Sequence, residues 1–367
     1  MADLHVVGGS VDVAVVAGQV AASPAPRSPS YDASGLHVLP GFLDLQVNGA
    51  AGIDLTLEPS RLWEVAAALP RFGVTAFLPT VITSSPDARA EALAVLAAGP
   101  PTGWAGAVPM GWHFEGPMIA AARKGAHPVS WLCVPSPSLV EGWSRDAGVA
   151  MVTLAPELPE ALGVVDQLVE RGVVVAVGHT EATAAEVTAA VERGARAVTH
   201  LGNAMPALAG RMPGPVGAAL SDERLTAGVI ADGHHLHPAT LAAYWRALGT
   251  DRFLAVTDCT AALGMPDGPA RLGDQSVVVA DGTVRLTDGT LAGSAADLAQ
   301  CLRVLRAATG CSLASAAAGC TSVPAALLGD PARGHLGTGA RGDLTLVDDD
   351  LSVVATVVGG QLLHGGS

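Results

Sequence analysis

"VVVAVGHTEATAAEVTAAVERGARAVTH", residues 173–200, reads as a strand, a helix and a second strand, and both strands end on histidine. The run 173–177 is Val and Ala without polar alternation, the pattern of a strand covered on both faces. "ATAAEVTAAVERG" then takes on helical character and stops at Gly194, a common helix terminator. "ARAVTH" (195–200) returns to β character and runs straight into an irregular loop, "LGNAM" (201–205). A strand that ends on His and opens into such a loop is explained if the strand tip is the mouth of a site whose wall the loop forms.

The same alternation continues on both sides. Strands are read at 41–46, 74–80, 106–114, 149–154, 173–179, 195–200, 225–232 and 252–258, most of them separated by amphipathic segments such as "PSRLWEVAAALPRFG" and "ELPEALGVVDQLVERG". Eight parallel strands with interposed helices predict a (β/α)8 TIM barrel. A doubly wound open sheet is the rival, but no GxGxxG follows the first strand.

The segments outside the barrel read differently. Residues 1–39 and 340–367 consist of short β runs broken by Gly and Asp, so the two termini are expected to pair in a small β-sandwich domain. The barrel, 40–339, then sits between them. "DQSVVVADGTVRLTDGT" (274–290) reads as a hairpin inserted after the eighth strand, with "DG" at its turns.

Composition narrows the class. The chain has 367 residues, 50% of them hydrophobic and 15% charged, with a mean hydropathy of +0.41. Apolar residues do not run for the ~20 positions a membrane helix needs, so the reading is a large core with no membrane partner. A net charge of −14 with no basic stripe argues against nucleic acid. The N-terminus lacks a secretory pattern, and five cysteines without CxxC spacing fit reduced thiols, so a cytoplasmic location is expected.

In a TIM barrel the chemistry sits at the C-terminal strand ends. Here those ends carry Gln46 and Asn48 (strand one), His113 and Glu115 (three), His179 (five), His200 (six), Asp232, His234 and His235 (seven) and Asp258 (eight). Singly, each has a plainer reading as a hydrogen-bonded histidine or a helix N-cap. Together, Glu115, His179, His200 and Asp258 converge on one mouth from four strands. Neutral imidazoles with a carboxylate suit a divalent transition metal such as zinc.

The motifs "PGFLDLQVNG" (40–49), "HFEGP" (113–117), "KGAH" (124–127), "GHTEAT" (178–183), "THLGNAM" (199–205), "DGHH" (232–235), "VTDCTAALG" (256–264) and "LAGS" (291–294), in this order, resemble the N-acetylglucosamine-6-phosphate deacetylases of the amidohydrolase superfamily. The resemblance spans nearly the whole chain. It implies a metal-dependent hydrolysis of the acetamide of N-acetylglucosamine 6-phosphate to glucosamine 6-phosphate and acetate, in amino-sugar catabolism and cell-wall recycling, by a homodimer. It places one divalent ion, with zinc first among zinc, iron, manganese and cobalt, on Glu115, His179 and His200, and makes Asp258 the general base and acid. It sets Ala126 and His127 at the sugar or acetamide, Asn203, Ala204, Arg211 and His235 at the 6-phosphate, and Leu291, Ala292 and Gly293 at the sugar ring. For "LAGS" the plainer alternative is a turn with Ser294 capping the next helix.

Departures sharpen the expectation. Many amidohydrolases carry HxH on strand one, whereas Gln46 and Asn48 stand here; amides are poor zinc ligands, so a second tight ion is not expected. Strand four lacks the lysine of dihydroorotase-like relatives. Gly202, Met118 and Ile119 replace bulkier residues, which would widen the pocket. The competing functions are deacetylation of an N-acetylgalactosamine 6-phosphate, hydrolysis of another N-acyl substrate, or a barrel kept only for binding. The last predicts loss of a site residue, and none of the four is missing.

Overall fold

The structure, a computed structural model, describes residues 2–365 apart from positions 274 and 281. Eight strands form a nearly closed parallel barrel: Phe42–Val47, Val74–Ile82, Trp112–Glu115, Val149–Leu154, Val174–Val177, Ala197–Val198, Thr226–Ile230 and Phe253–Val256. Each pairs in parallel with its sequence neighbour. All eight lie where the sequence put them. The sixth is the shortest, because its chain leaves the ladder just before His200.

The stretch 173–200 shows why. The helix Ala184–Glu192 starts in a capping box, with the Thr183 hydroxyl accepting from the Glu186 N–H while the Glu186 carboxylate accepts from the Thr183 N–H. On strand five, Val174 and Ala176 pack with Leu45 and Leu254 of strands one and eight. The alternate residues, Val175 and Val177, join Val164 and Val187 of the flanking helices. One period-2 strand thus covers two cores, which is why it contains no polar residue.

Among the described residues, strands one and eight share a backbone hydrogen bond only at their tips, where the Asn48 N–H donates to the Cys259 carbonyl at 2.8 Å. Further down they are held apart by the chain at 319–320. Leu43 N–H donates to the Cys320 carbonyl (2.8 Å) and Ala255 N–H to that of Gly319 (2.9 Å). Between these levels the buried Asp44 carboxylate accepts from the Thr257 hydroxyl (2.5 Å) and the Thr257 N–H (3.3 Å). Its side chain therefore spans the seam from strand one to strand eight.

The termini form two four-stranded sheets. One runs Gln19–Ala21, Val13–Val16, Leu4–Val7, Ser30–Asp32; the other runs Gln361–His364, Val353–Val358, Leu344–Val347, His37–Pro40. Leu4, Val6 and Val15 share one core with Leu344, Leu346 and Val357, so both ends of the chain build the small β-sandwich.

The inserted segment is wider than the hairpin expected at 274–290. Strands Gly268–Leu272, Gln275–Ala280, Thr283–Leu286 and Leu291–Ser294 make a four-stranded antiparallel meander. The expected hairpin is its centre, Val279 facing Val284. Asp274 and Asp281 of that stretch lie outside the described residues. Among the described residues no helix is long and apolar enough to cross a membrane, and the five cysteines are free thiols.

Candidate active site

Four strand ends deliver the polar residues. Glu115 is the last residue of strand three, while His179, His200 and Asp258 follow strands five, six and eight by two positions. These last three have positive φ, at 47°, 30° and 51°, a backbone region that β-carbon residues visit at a cost. The sharp turn takes the chain off each strand while the side chain stays over the barrel axis. Glu115, His179 and His200 are buried, and Asp258 is half-buried.

Glu115 Oε1 lies 3.1 Å from His179 Nε2 and 3.0 Å from His200 Nε2, and the two Nε2 atoms are 3.0 Å apart. One ligand atom from each residue fits within 4.8 Å of the others. His179 Nδ1–H donates to the Arg123 carbonyl at 2.7 Å, which fixes the ring and turns the Nε2 lone pair to the focus. Burial opposes the charged form of His200, yet Glu115 raises its pKa above the ordinary value; the Glu115 carboxyl, in spite of burial, is held well below its own by the two histidines. The focus therefore calls for positive charge. A Glu and two imidazoles with converging lone pairs are a donor set for one divalent transition ion, with room left for water and substrate.

Gln46 and Asn48 are donors here. Gln46 Nε2 donates to Glu115 Oε1 (3.1 Å) and to Asp258 Oδ1 (3.0 Å), and Asn48 Nδ2 donates to the same Oδ1 at 2.7 Å. Two amides thus hold one oxygen of Asp258 and aim the other into the site. Burial and then the neighbouring Glu115 push the Asp258 carboxyl up to about 6, against the pull of His200 and His235. A carboxyl so placed can exchange a proton near neutral pH.

His127, from the long loop between strands three and four, accepts the Thr83 N–H on Nδ1 at 3.3 Å, so its proton resides on Nε2, 3.9 Å from Glu115 Oε2. Burial keeps the ring neutral. His113 is a different case. Its Nδ1–H donates to the Leu45 carbonyl (3.2 Å) and its Nε2 accepts from the Thr153 hydroxyl (2.7 Å). Burial holds its pKa at about 4, and with both nitrogens engaged it is a strut between strands rather than an acid or base.

A cavity of about 330 Å³ opens over these residues. Ala126, His127, Asn203, Ala204 and His235 line it together with Glu115, His179, His200 and Asp258, and so do Leu291, Ala292 and Gly293. His235 Nδ1–H donates to Asp232 Oδ2 at 2.8 Å, leaving Nε2 for a ligand. Arg211 does not join them. Ala209 and Met212 pair across a tight turn, and Arg211 stands exposed at its tip. The arginine that lines the cavity is Arg123, next to "KGAH", and the sequence reading passed over it; Leu272 and Thr290, from the meander, were also missed.

Three further expectations change on contact with the packing. Gly202 creates no extra space, because a β-carbon there would stand 2.9 Å from the Tyr244 hydroxyl, which already occupies the place. Met118 and Ile119 are buried and do not line the cavity. "LAGS" is a strand and Ser294 is not a cap: its hydroxyl donates to the Thr257 carbonyl at 2.6 Å, and Asp297 caps the next helix. Gly293, at φ 69°, is required there, since a β-carbon would come within 2.8 Å of the Asp258 carbonyl oxygen.

A parallel barrel with a Glu-His-His focus and a facing carboxylate agrees with the match of residues 37–363 to the amidohydrolase family model. The chain belongs to the amidohydrolase family. Within it, the chain is 39% identical over 350 residues to the N-acetylglucosamine-6-phosphate deacetylase of Caenorhabditis elegans, covering 90% of this chain and 83% of that one. It is 36% identical over 350 residues to the N-acetylgalactosamine-6-phosphate deacetylase of Shewanella sp. (strain ANA-3), covering 92% and 85%. Among solved structures it is similar to a mutant N-acetyl-D-glucosamine-6-phosphate deacetylase of Mycobacterium smegmatis in complex with N-acetyl-D-glucosamine-6-phosphate, with a TM-score of 0.87, 34% identity and 99% and 98% coverage.

Proposed function

We propose that the chain is a metal-dependent deacetylase that hydrolyses the acetamide of N-acetylglucosamine 6-phosphate to glucosamine 6-phosphate and acetate. The observation that carries this is the pairing of Glu115, His179 and His200 with an Asp258 whose free oxygen faces the same focus. Full-length similarity to deacetylases, one of them in complex with that substrate, supports the choice of sugar.

Glu115, His179 and His200 would hold a divalent ion, zinc in this reading, which when bound would supply Lewis acidity for attack of water on the acetamide. Asp258 takes the water's proton on its free oxygen, while Gln46 and Asn48 keep its other oxygen fixed. The same carboxyl then returns that proton to the departing amine nitrogen, so one group serves as base and acid. The His127 Nε2–H points into the cavity as a donor to the carbonyl oxygen, whose charge grows during attack. Asn203, Ala204 and His235 meet the phosphate end, and Leu291, Ala292 and Gly293 pack on the sugar. Residues 1–39 with 340–367 act as a scaffold domain for the barrel of 40–339. A cytoplasmic homodimer completes the proposal; the free thiols suit a reducing compartment.

The test is a panel of N-acetylglucosamine, N-acetylgalactosamine and their 6-phosphates, followed by acetate release from the metal-loaded protein. The gluco 6-phosphate is expected to have the highest kcat/KM. A higher value for the galacto 6-phosphate would move the assignment to that sugar, and no release from any of the four would overturn it.

A further inference from the structure

One side of the cavity is apolar. Ile82, Ala126, Leu272 and Ala292 line it and belong to a single buried hydrophobic cluster. Ile82 ends strand two, and Leu272 ends the first strand of the meander. Strand two stands four places round the barrel from strand six, so this wall faces the loop of Asn203 and Ala204 across the ion focus. It also begins and ends beside reacting groups. Thr83, the residue after Ile82, donates its N–H to His127 Nδ1 at 3.3 Å; Gly293, the residue after Ala292, is the one whose added β-carbon would meet the Asp258 carbonyl oxygen at 2.8 Å. A short segment after strand one fixes the two main parts of the wall. The buried Asp54 accepts the Gly273 N–H on Oδ2 (2.6 Å) and the Thr56 N–H on Oδ1 (2.8 Å), and the Thr56 hydroxyl accepts the Ile82 N–H (3.1 Å).

We infer that this wall is the subsite for the substrate's acyl substituent, and that Leu272, together with Ile82, sets the longest acyl chain the protein hydrolyses. With the sugar on the side of strands six and seven and the carbonyl oxygen at His127, the substituent on the acyl carbon points the other way, toward strand two. A methyl gains from burial against such a surface, whereas sugar hydroxyls or phosphate oxygens would lose their hydrogen bonds to water there. The wall cannot draw back without breaking the bonds of Asp54 and Thr56, which are buried. An added methylene therefore meets packed side chains. The meander thus has a part in selectivity: it carries in the residue that ends the acyl pocket.

The inference rests on the proposed deacetylation, and the experiment separates the two. The metal-loaded protein is given the N-acetyl, N-propanoyl and N-butanoyl derivatives of glucosamine 6-phosphate, and release of glucosamine 6-phosphate is followed. No release from any of the three by the parent would defeat the deacetylase reading and the subsite with it. The parent is expected to lose at least about 10-fold in kcat/KM on going from acetyl to propanoyl, the effect of one methylene in a hydrophobic pocket; equal values for all three would overturn the subsite alone. Leu272→Ala is expected to raise the butanoyl-to-acetyl ratio of kcat/KM by about 10- to 100-fold. Leu272→Val, which disturbs the meander less, should raise the propanoyl-to-acetyl ratio in the same direction. Val284 is buried in the same cluster but lies outside the cavity. Val284→Ala loosens the meander without enlarging the pocket and should keep the parent's ratios. Leucine variants with the parent's ratios would overturn the proposal, and so would a Val284→Ala variant that shifts them as far as Leu272→Ala does.

Discussion

Replacing Asp258 by Asn puts the proposed proton transfer to its sharpest test. The amide keeps the carboxyl's shape, and its oxygen can still accept from Gln46 Nε2 and Asn48 Nδ2, now at 3.0 and 2.7 Å. Its NH2 then occupies the place of the oxygen that faces the substrate, where it cannot take a proton. Substrate and metal binding should survive, while turnover falls by about 10²- to 10⁴-fold, or about 3 to 5.5 kcal/mol in the barrier. The pH profile adds an independent readout. A base must be ionised to act, so kcat/KM of the parent should fall tenfold per unit below the pKa of Asp258. That limb lies at or below about 6, since a bound cation draws the carboxyl down from the value that burial and Glu115 give it. In the variant the limb should vanish from any residual activity. Acetate release, KM and metal content measured together decide the matter: normal turnover would assign the proton to another group, and loss of metal would make Asp258 a ligand first.

The other predictions use different handles. His200→Ala removes one of three ligand atoms, so affinity for the divalent ion should drop on the order of 100-fold or more; an elemental analysis that still finds about one ion per chain after dialysis would refute the ligand set. Asp44 is a linkage test. Burial raises its carboxyl to about 7 despite hydrogen bonds from Thr257 and Gln46, so the native chain binds a proton that the unfolded chain has released. Its contribution is complete below the ordinary carboxylate range, declines as pH rises toward about 7 and is gone above it. Asp44→Asn should therefore flatten the fall in thermal midpoint across that window, and a parallel shift at every pH would remove Asp44 as its source. Gly293→Ala drives a β-carbon to 2.6 Å from Thr260 Cγ2 and 2.8 Å from the Asp258 carbonyl; displacing Asp258 by even about 1 Å should cost about 100-fold in turnover, whereas parent-like kinetics would mean the segment yields freely.

Much of the architecture could be read in advance because the barrel writes itself into short, mostly apolar runs covered on both faces, most of them followed by a helix. The four central side chains were legible for a related reason: they fall at strand tips, and a tip has a sequence position. Residues set by loop geometry left no such mark. Arg123 differs from other surface arginines only because the chain after strand three doubles back under His179, and Arg211 is turned outward by a pairing of Ala209 with Met212 that local sequence does not announce. The space at Gly202 was misjudged since its filling comes from Tyr244, some forty positions away and on a helix. The inserted meander was trimmed to its central hairpin because its outer strands, "GPARL" and "LAGS", begin or end in Gly, Pro and Ser, poor β formers that hold their places by pairing.

The shared core of the small sandwich has a consequence for synthesis. Strand His37–Pro40 pairs with Leu344–Val347, roughly 300 residues later in the chain. At about 5–20 residues per second on the ribosome, the first strands wait some tens of seconds for the partner that covers Val6, Val15 and Val38. During that interval they present apolar faces and open edges to solvent or to a chaperone, while the barrel strands emerge and close behind them. A nascent chain that stalls before position 344 would therefore strand its own beginning, leaving an N-terminal sheet with no core however completely the barrel had folded.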